Sequence, residues 1–416
     1  MNEYIVGLDI SSSKICGAVG SLASDNSIQL LGITTSDYSE VKTEVEEADV
    51  SATVNSVISR LRDIIGEPLS EAYVSIPISM CEVVNTKGVV SFPVSKEIIL
   101  EDVINVGEVA KFCVNKNQEI VQVDIEEYIV DRMRNIRNPI AMKATLLESE
   151  GNAFIVNNKY VNEYKKILNE AGIKVKGFIV NSIGMSKDIL NEDELHKGVA
   201  LIDIGSTNSE ISVFKDGKFL DFFSIPLGGD TITNDISICL KLSREESEKL
   251  KFKCNTLLKG NSNNKHTIRV TTLNDEKKEI DYLMLEEIIC ERVKEVLELI
   301  SKQLEAEELS NQVESYVLVG GGISQYRDIL NVAEDILGKP IRIGVPEYVG
   351  AANPIYSTAT GIIGYVLSKK LDLLIENENS QGDILEEKSI GKGENKFIVK
   401  LKGLLKGFSN EEVKKW

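Results

Sequence analysis

Histidine is almost absent from this chain of 416 residues: only His196 and His266 occur, both in polar surroundings. A His-based catalytic triad or a His-rich metal site therefore has little to be built from. The six cysteines, at 16, 81, 113, 239, 254 and 290, are scattered without a CxxC pair, which reads as reduced thiols rather than a disulfide or zinc framework. No apolar run approaches the length of a membrane span, and Met1 to Asp9 carries neither a basic region nor a long apolar run. A secretory leader is not expected, and the cytoplasm is the default compartment. Positive charge is in deficit, 47 lysines and arginines against 65 acids for a net of -18. That balance disfavours a nucleic-acid surface and favours solubility. What is left for chemistry is carboxylates, backbone groups and whatever the chain binds.

The length suffices for two to four domains with cores of their own, and 42% hydrophobic with 27% charged residues is ordinary for a globular protein. Two stretches organise it. Tyr4 to Val19 reads YIVGLDISSSKICGAV and Val199 to Val213 reads VALIDIGSTNSEISV. Each is an apolar strand, Asp-Ile, a turn of small or hydroxyl residues, then a second strand: a hairpin written twice, at a separation on the scale of a domain. Small-residue turns can aim several backbone N–H groups at one point and bind phosphate. Two facing each other would clamp a polyphosphate, with Asp9 and Asp203 placed to hold Mg²⁺ directly or through water. Taken singly, either copy is also what any strand ending in a turn looks like.

A third stretch, Tyr316 to Ile323, is YVLVGGGI, an apolar strand running into Gly320, Gly321 and Gly322, with helical period in the residues that follow. Three glycines let a backbone approach a flat ligand closely. Asp-turn, Asp-turn and apolar-GGG, in that order, resemble the phosphate-1, phosphate-2 and adenosine motifs of the actin, heat-shock chaperone and sugar-kinase superfamily. The resemblance implies an α/β, actin-like two-lobed ATPase fold with duplicated phosphate-binding hairpins. It places ATP against Asp9, Ser11, Ser12, Ser13, Lys14, Asp203, Gly205, Ser206, Thr207, Asn208, Gly320, Gly321, Gly322 and Ile323.

The intervening segments narrow the resemblance. EYIVDRMRNIRNPIAMKATLLES, Glu127 to Ser149, is similar to a segment of the bacterial cell-division FtsA family, in the inserted α+β subdomain 1C. The alternative is a kinase's specificity insert. FFSIPLGGD, with Thr231, Thr233 and Asp235 after it, also recurs in FtsA. It implies Gly228 and Gly229 near the nucleotide, and a helix from Thr231 whose N-terminus would favour an anion. SREESEKLKFKC resembles the family's segment in which an acid and a lysine contact ribose and adenine, here Glu248 and Lys251. Without the family a solvated charged face would explain that pair. Arg292 sits close to the family's pattern for a long helix.

The implied organisation is 1–83 first lobe (1A), 84–158 the 1C-type insert, 159–197 first lobe continued and 198–234 second lobe (2A). Then come 235–312 a 2B-type subdomain, 313–355 second lobe continued and 356–370 a closing helix returning to the first lobe. Residues 371–395 read as an acidic disordered linker, since 371–394 hold seven acids against two lysines, a net of -5. Residues 396–416 reverse to six lysines against two glutamates. At helical pitch Phe397, Ile398, Leu401, Leu404, Leu405 and Phe408 share one apolar sector, bordered by Lys400 and Lys402 with Lys406 behind. That is the pattern of an in-plane membrane helix on a tether, and FtsA has such a tail. Docking on a partner or on the protein's own body is the other use of such a stripe.

The FtsA family's loops read DIGTTK and DIGGGTTD, whereas this chain has DISSSK and DIGSTNSE, with Glu210 closing the second. The expectation is ATP binding with slow or negligible turnover, since positioning a water tolerates little displacement. The family then implies a protein that polymerises on the inner face of the cytoplasmic membrane at the division site. There it would tether the FtsZ ring by binding FtsZ's C-terminal peptide on 2B, with other divisome proteins as further partners. A pilus-assembly actin homologue and a small-molecule kinase of the same superfamily are the alternatives. In co-sedimentation with anionic liposomes the full chain should pellet and a version ending at Asn395 should stay in the supernatant. If both stay in the supernatant, the tail is a docking helix and the kinase and pilus-type alternatives move ahead.

Overall fold

The computed structural model describes residues 4–38, 47–112, 114–254, 257, 267–272 and 277–382. The first lobe opens with β1 (Ile5–Ile10), β2 (Lys14–Leu22), β3 (Ile28–Asp37), α1 (Glu47–Ile65) and β4 (Glu71–Ile76). The insert follows as β5 (Glu82–Glu97), α2 (Leu100–Val109), β6 (Gln118–Val130), β7 (Met133–Ile136) and β8 (Lys143–Asn157). The chain re-enters the first lobe through α3 (Asn158–Glu170), β9 (Lys174–Val180), α4 (Asn181–Ile189) and α5 (Glu192–Lys197).

The second lobe is β10 (Val199–Ile204), β11 (Ser209–Lys215), β12 (Lys218–Ile225), α6 (Gly229–Leu240) and α7 (Arg244–Lys253). It continues with β13 (Thr267–Thr271), β14 (Lys277–Asp281), α8 (Tyr282–Ala306), β15 (Ser315–Val319), α9 (Ile329–Leu337) and β16 (Ile341–Ile343). Last comes α10 (Ser357–Gly382).

The two lobes carry the same sheet. One is ordered β3-β2-β1-β4-β9 and the other β12-β11-β10-β15-β16, each an antiparallel meander joined to parallel strands. In each, the central strand is apolar on both faces, as a sheet covered on both sides requires. In the first lobe, α1 lies over the face of Leu8 and Gly17, and α10 lies over the face of Gly7. The closing helix thus belongs to the first-lobe core, where Ile362, Ile363 and Leu367 are fully buried. One face of the second sheet, through Val199, Leu201, Phe214 and Val317, joins that same core, so the lobes share an apolar contact.

The insert is a four-stranded sheet, β5-β8-β6-β7, around a small core of Ile98, Val106, Val130, Ala144 and Leu147. Pro93 interrupts β5, and the ladder skips from Ser91 to Lys96. On an edge strand that interruption is tolerated. The insert is tied to the second lobe where Phe154 meets Phe219 edge-on with centroids 5.8 Å apart, and where Lys218 Nζ lies 3.4 Å from Glu127 Oε1 and 3.9 Å from Glu126 Oε2.

Three boundaries differ from what apolar period alone expects. Within the insert that period runs at helical spacing from Leu100 to Val114, but α2 stops at Val109, because Val109 and Phe112, which continue it, are 47% and 40% exposed and have no core to pack on. The helix read straight after the glycines begins only at Ile329. The closing helix runs on to Gly382 instead of ending at 370, since Leu371 to Ile375 prolong the apolar run and neither Gly nor Pro intervenes before Gly382. The rest of the acidic linker, the whole amphipathic segment, Cys113 and His266 lie outside the described residues. Among the described residues no helix is long and apolar enough to cross a membrane, and Cys16, Cys81 and Cys239 are free thiols.

Phe154 is fully buried where insert, first lobe and second lobe meet. Phe154→Ala should cost about 3–5 kcal/mol, read as a lower urea midpoint; a midpoint unchanged from wild type would contradict this packing.

Candidate functional site

β1 and β10 each end in Asp-Ile and lead into a four-residue turn closed in the same way. The Ser11 N–H donates to the Lys14 carbonyl at 3.0 Å, and the Gly205 N–H donates to the Asn208 carbonyl at 3.0 Å. The registers repeat as well, with Asp9 opposite Cys16 and Asp203 opposite Glu210. The tips meet across the cleft: Ser12 Oγ and Ser206 Oγ, 194 residues apart, are at 2.5 Å. The fold therefore brings Ser11 to Lys14 together with Gly205 to Asn208. None of residues 11–14 or 205–208 occupies the left-handed region, so serine and threonine stand in these turns without backbone strain.

The electrostatics at the base of the turns are unbalanced. Ser75 Oγ donates to Asp9 Oδ1 at 2.7 Å. Burial nonetheless raises the Asp9 carboxyl above the usual range, against the pull of Ser75 and of Lys14. Burial pushes Asp203 up to about 7, with the charges of Glu210 and Asp9 adding to it and Lys14 opposing. Two desolvated carboxylates with one lysine to offset them are suited to a cation. Among the described residues no three His, Cys, Asp or Glu cluster as metal ligands. This donor set fits Mg²⁺, which commonly takes one or two carboxylates and keeps its other positions for water and phosphate oxygens.

The triglycine turn closes the second-lobe side. Gly320 has φ +86°, and a Cβ there would sit 2.5 Å from the Ile204 carbonyl. A Cβ on Gly321 would lie 3.2 Å from Lys14 Nζ, so this turn also faces the first hairpin. Ile323 is buried behind it, in the second-lobe core.

Gly228 and Gly229 lie against the second turn, with Gly229 also near Gly322. α6 starts at Gly229, and its first two N–H groups are already taken: Gly229 N–H donates to the Gly205 carbonyl at 3.0 Å and Asp230 N–H to the Ser206 carbonyl at 2.7 Å. Those donors are the ones a helix N-terminus would offer to an anion, so the expected anion site is replaced by a weld between α6 and the second turn. A Cβ on Gly228 would lie 2.6 Å from both of those carbonyls, which is why glycine stands there.

Lys251 is not on a solvated face. It is 3% exposed, and its ammonium donates to the Gly229 carbonyl at 3.1 Å, Thr233 Oγ1 at 2.9 Å and Glu248 Oε2 at 2.8 Å. All three protons are engaged within the protein, so Lys251 clamps α7 to the start of α6, and Glu248 keeps the more exposed edge of that cluster. Farther along α6, Asp235 holds Arg292 of α8 through bonds of 2.5 and 3.1 Å.

Four residues that sequence reasoning passed over complete the site. Ser75 orients Asp9. Glu210, noted only as a departure from the family's loop, is 6% exposed and accepts from Ser79 N at 3.1 Å and Asn181 Nδ2 at 2.6 Å, and also from the Ser79 hydroxyl. The one available signal was its position opposite Asp203 in the hairpin.

Two family models match the chain, "Cell division protein FtsA" over residues 200–361 and "SHS2 domain inserted in FTSA" over 79–155. It is 31% identical over 370 residues to the cell division protein FtsA of Bacillus subtilis, covering 88% of this chain and 83% of that one. Among solved structures it is similar to the PilM-PilN type IV pilus biogenesis complex, with a TM-score of 0.57 and 14% identity over 87% of this chain and 98% of the other. It is also similar to MreB5 of Spiroplasma citri bound to ADP, with a TM-score of 0.51 and 12% identity over 91% and 98% of the two chains. The fold is the actin-like ATPase fold.

Asp203 titrates in the folded protein at about 7, above its value of 3.8 outside the fold, so ionising it opposes folding. That penalty grows between pH of about 4 and 7 and is constant above. In the nucleotide-free protein, Asp203→Asn should raise the Tm at pH 8 by a few degrees, a gain that shrinks toward pH 5. A Tm difference independent of pH would contradict the burial of this carboxyl.

Proposed function

The chain belongs to the FtsA family of cell-division proteins, and from that membership we propose that it binds ATP with Mg²⁺ between its lobes, polymerises on the inner face of the cytoplasmic membrane and tethers the FtsZ ring there. The observation that carries the nucleotide part is the pair of matched turns meeting tip to tip above two desolvated aspartates. In this reading Ser12, Ser13, Ser206 and Thr207 offer hydroxyls and backbone to the phosphates. Asp9 and Asp203 hold the metal. Gly320 to Gly322 line the nucleoside side, with Ile323 packed behind them in the core and Glu248 toward the ribose.

When bound, Mg²⁺ would supply the positive charge that the two aspartates and the phosphates lack. Hydrolysis is slow or absent, and the nucleotide acts on lobe closure and hence on the polymer. Lys251 departs from the family expectation of a contact with the base: with its donors spent on Gly229, Thr233 and Glu248 it shapes the pocket from behind. The pilus-assembly alternative is left with shared fold alone, at 14% identity, and the kinase alternative leaves the tail without a use.

The FtsZ peptide is assigned to the 2B-type subdomain. Ile238 on α6, Phe252 on α7 and Leu283 and Met284 at the start of α8 are exposed apolar side chains there, at 66%, 56%, 41% and 46%. Exposed apolar anchors are what a short peptide needs. Ile238→Asp with Phe252→Asp should weaken binding of FtsZ's C-terminal peptide at least about tenfold, or ~1.4 kcal/mol, in fluorescence anisotropy, with the circular dichroism spectrum retained. Equal affinity in wild type and variant would move the peptide off this surface.

A further inference from the structure

Glu210 is a buried carboxylate whose recorded donors are all neutral. Ser79 N–H reaches it at 3.1 Å, Asn181 Nδ2 at 2.6 Å and Asn208 Nδ2 at 3.4 Å, and the Ser79 hydroxyl is a further partner. These donors come from three parts of the molecule. Asn208 lies in the second-lobe turn beside Ser209, where β11 begins. Asn181 is the first residue of α4 in the first lobe. Ser79 sits in the short 3-10 turn Ile78–Met80 by which the chain leaves β4 for the insert.

Asn181 is itself held in place. Its Oδ1 accepts from Ile78 N at 3.0 Å and from Ser182 N at 2.8 Å, which leaves its amide nitrogen pointing at Glu210. The carboxylate is thereby solvated by the protein, and only while the lobes are together. Parting them would strip a buried charge of its first-lobe donors, and an uncompensated buried charge is costly until water replaces them. Side-chain length matters as well. Glu210 is anchored opposite Asp203 in the second sheet, and an aspartate there would fall short by one bond, about 1.5 Å, of a hydrogen bond to the Ser79 backbone.

We propose that Glu210 is an interlobe latch: its bonds to Ser79 and Asn181 hold the cleft closed in the absence of any ligand, and they must break before the cleft admits or releases one. The part concerning release rests on the nucleotide reading given above; closure of the empty protein does not. Glu210 acts by positioning the lobes and is assigned no contact with the bound group.

The test uses the full chain with spin labels at Cys239 and at Glu67→Cys, in a Cys113→Ser background, and electron-electron double resonance without nucleotide. Asn181→Asp keeps the shape and the two accepted bonds but sets a second carboxylate against Glu210. It should shift the interlobe distance distribution to longer values, as should Glu210→Asp. Asn181→Asp combined with Glu210→Gln exchanges amide and carboxylate and should restore the closed distance, a recovery that general destabilisation would not produce. With a fluorescent ATP analogue, the opened variants should release at least about tenfold faster than wild type and the exchanged pair near the wild-type rate. Distances identical to wild type in folded Asn181→Asp and Glu210→Asp would overturn the latch. If the distances shift as expected while no variant, and not the wild type, binds the analogue, the latch stands and the nucleotide reading falls. If Glu210→Asp fails to fold, Asn181→Asp and the exchanged pair decide the matter by distance alone.

Discussion

Asp9 and Asp203 are both held out of water at the base of the cleft, opposed only by Lys14 and, at Asp9, by the Ser75 hydroxyl. Desolvated like charges favour separation, so everything around them has to keep the lobes together without using that site's own electrostatics. The shared apolar contact through Val199, Leu201, Phe214 and Val317 does part of this, and the neutral donors around Glu210 do another part. A cation bound there would find charge already concentrated and geometry already set, which would lower the ordering cost of binding.

Much of this was written locally in the chain. The two hairpins and the triglycine turn are patterns within a dozen residues, and hydrophobic period alone places their strands and glycines. What the sequence could not display were bonds between residues far apart in number. Glu210 reads as an imperfect copy of a loop residue until Ser79 and Asn181, 131 and 29 residues away, are seen to donate to it. Lys251 reads as a surface charge until Gly229 and Thr233 close over it. Gly228 and Gly229 were expected near the nucleotide, but whether they face a ligand or a neighbouring carbonyl depends on where α6 begins, and helix ends are the least legible feature of a sequence. The shortened α2 and prolonged α10 are the same difficulty: apolar period predicts a helix, and the available core decides how much of it forms.

The duplication is regular enough that departures from it carry information. Cys16 occupies in the first hairpin the position that Glu210 occupies in the second, opposite the aspartate in each case. One copy buries a thiol against Thr35, and the other reaches across the cleft with a carboxylate. Two lobes of one design thus meet at an asymmetric junction, beside the point where the insert leaves the first lobe and is braced by Phe154 and Lys218 against the second.

The weld between the second turn and α6 has a mechanical reading. Because Gly205 and Ser206 accept the first two N–H groups of α6, turn and helix move as one piece, and Asp235 passes any such movement to Arg292 on α8. α8 has 25 residues, a rod of about 37 Å at the helical rise. The turn is the short arm of a lever and α8 the long one, so a displacement of about an ångström, well within side-chain repacking, is magnified at the outer end of the second lobe, where a neighbouring molecule would feel it.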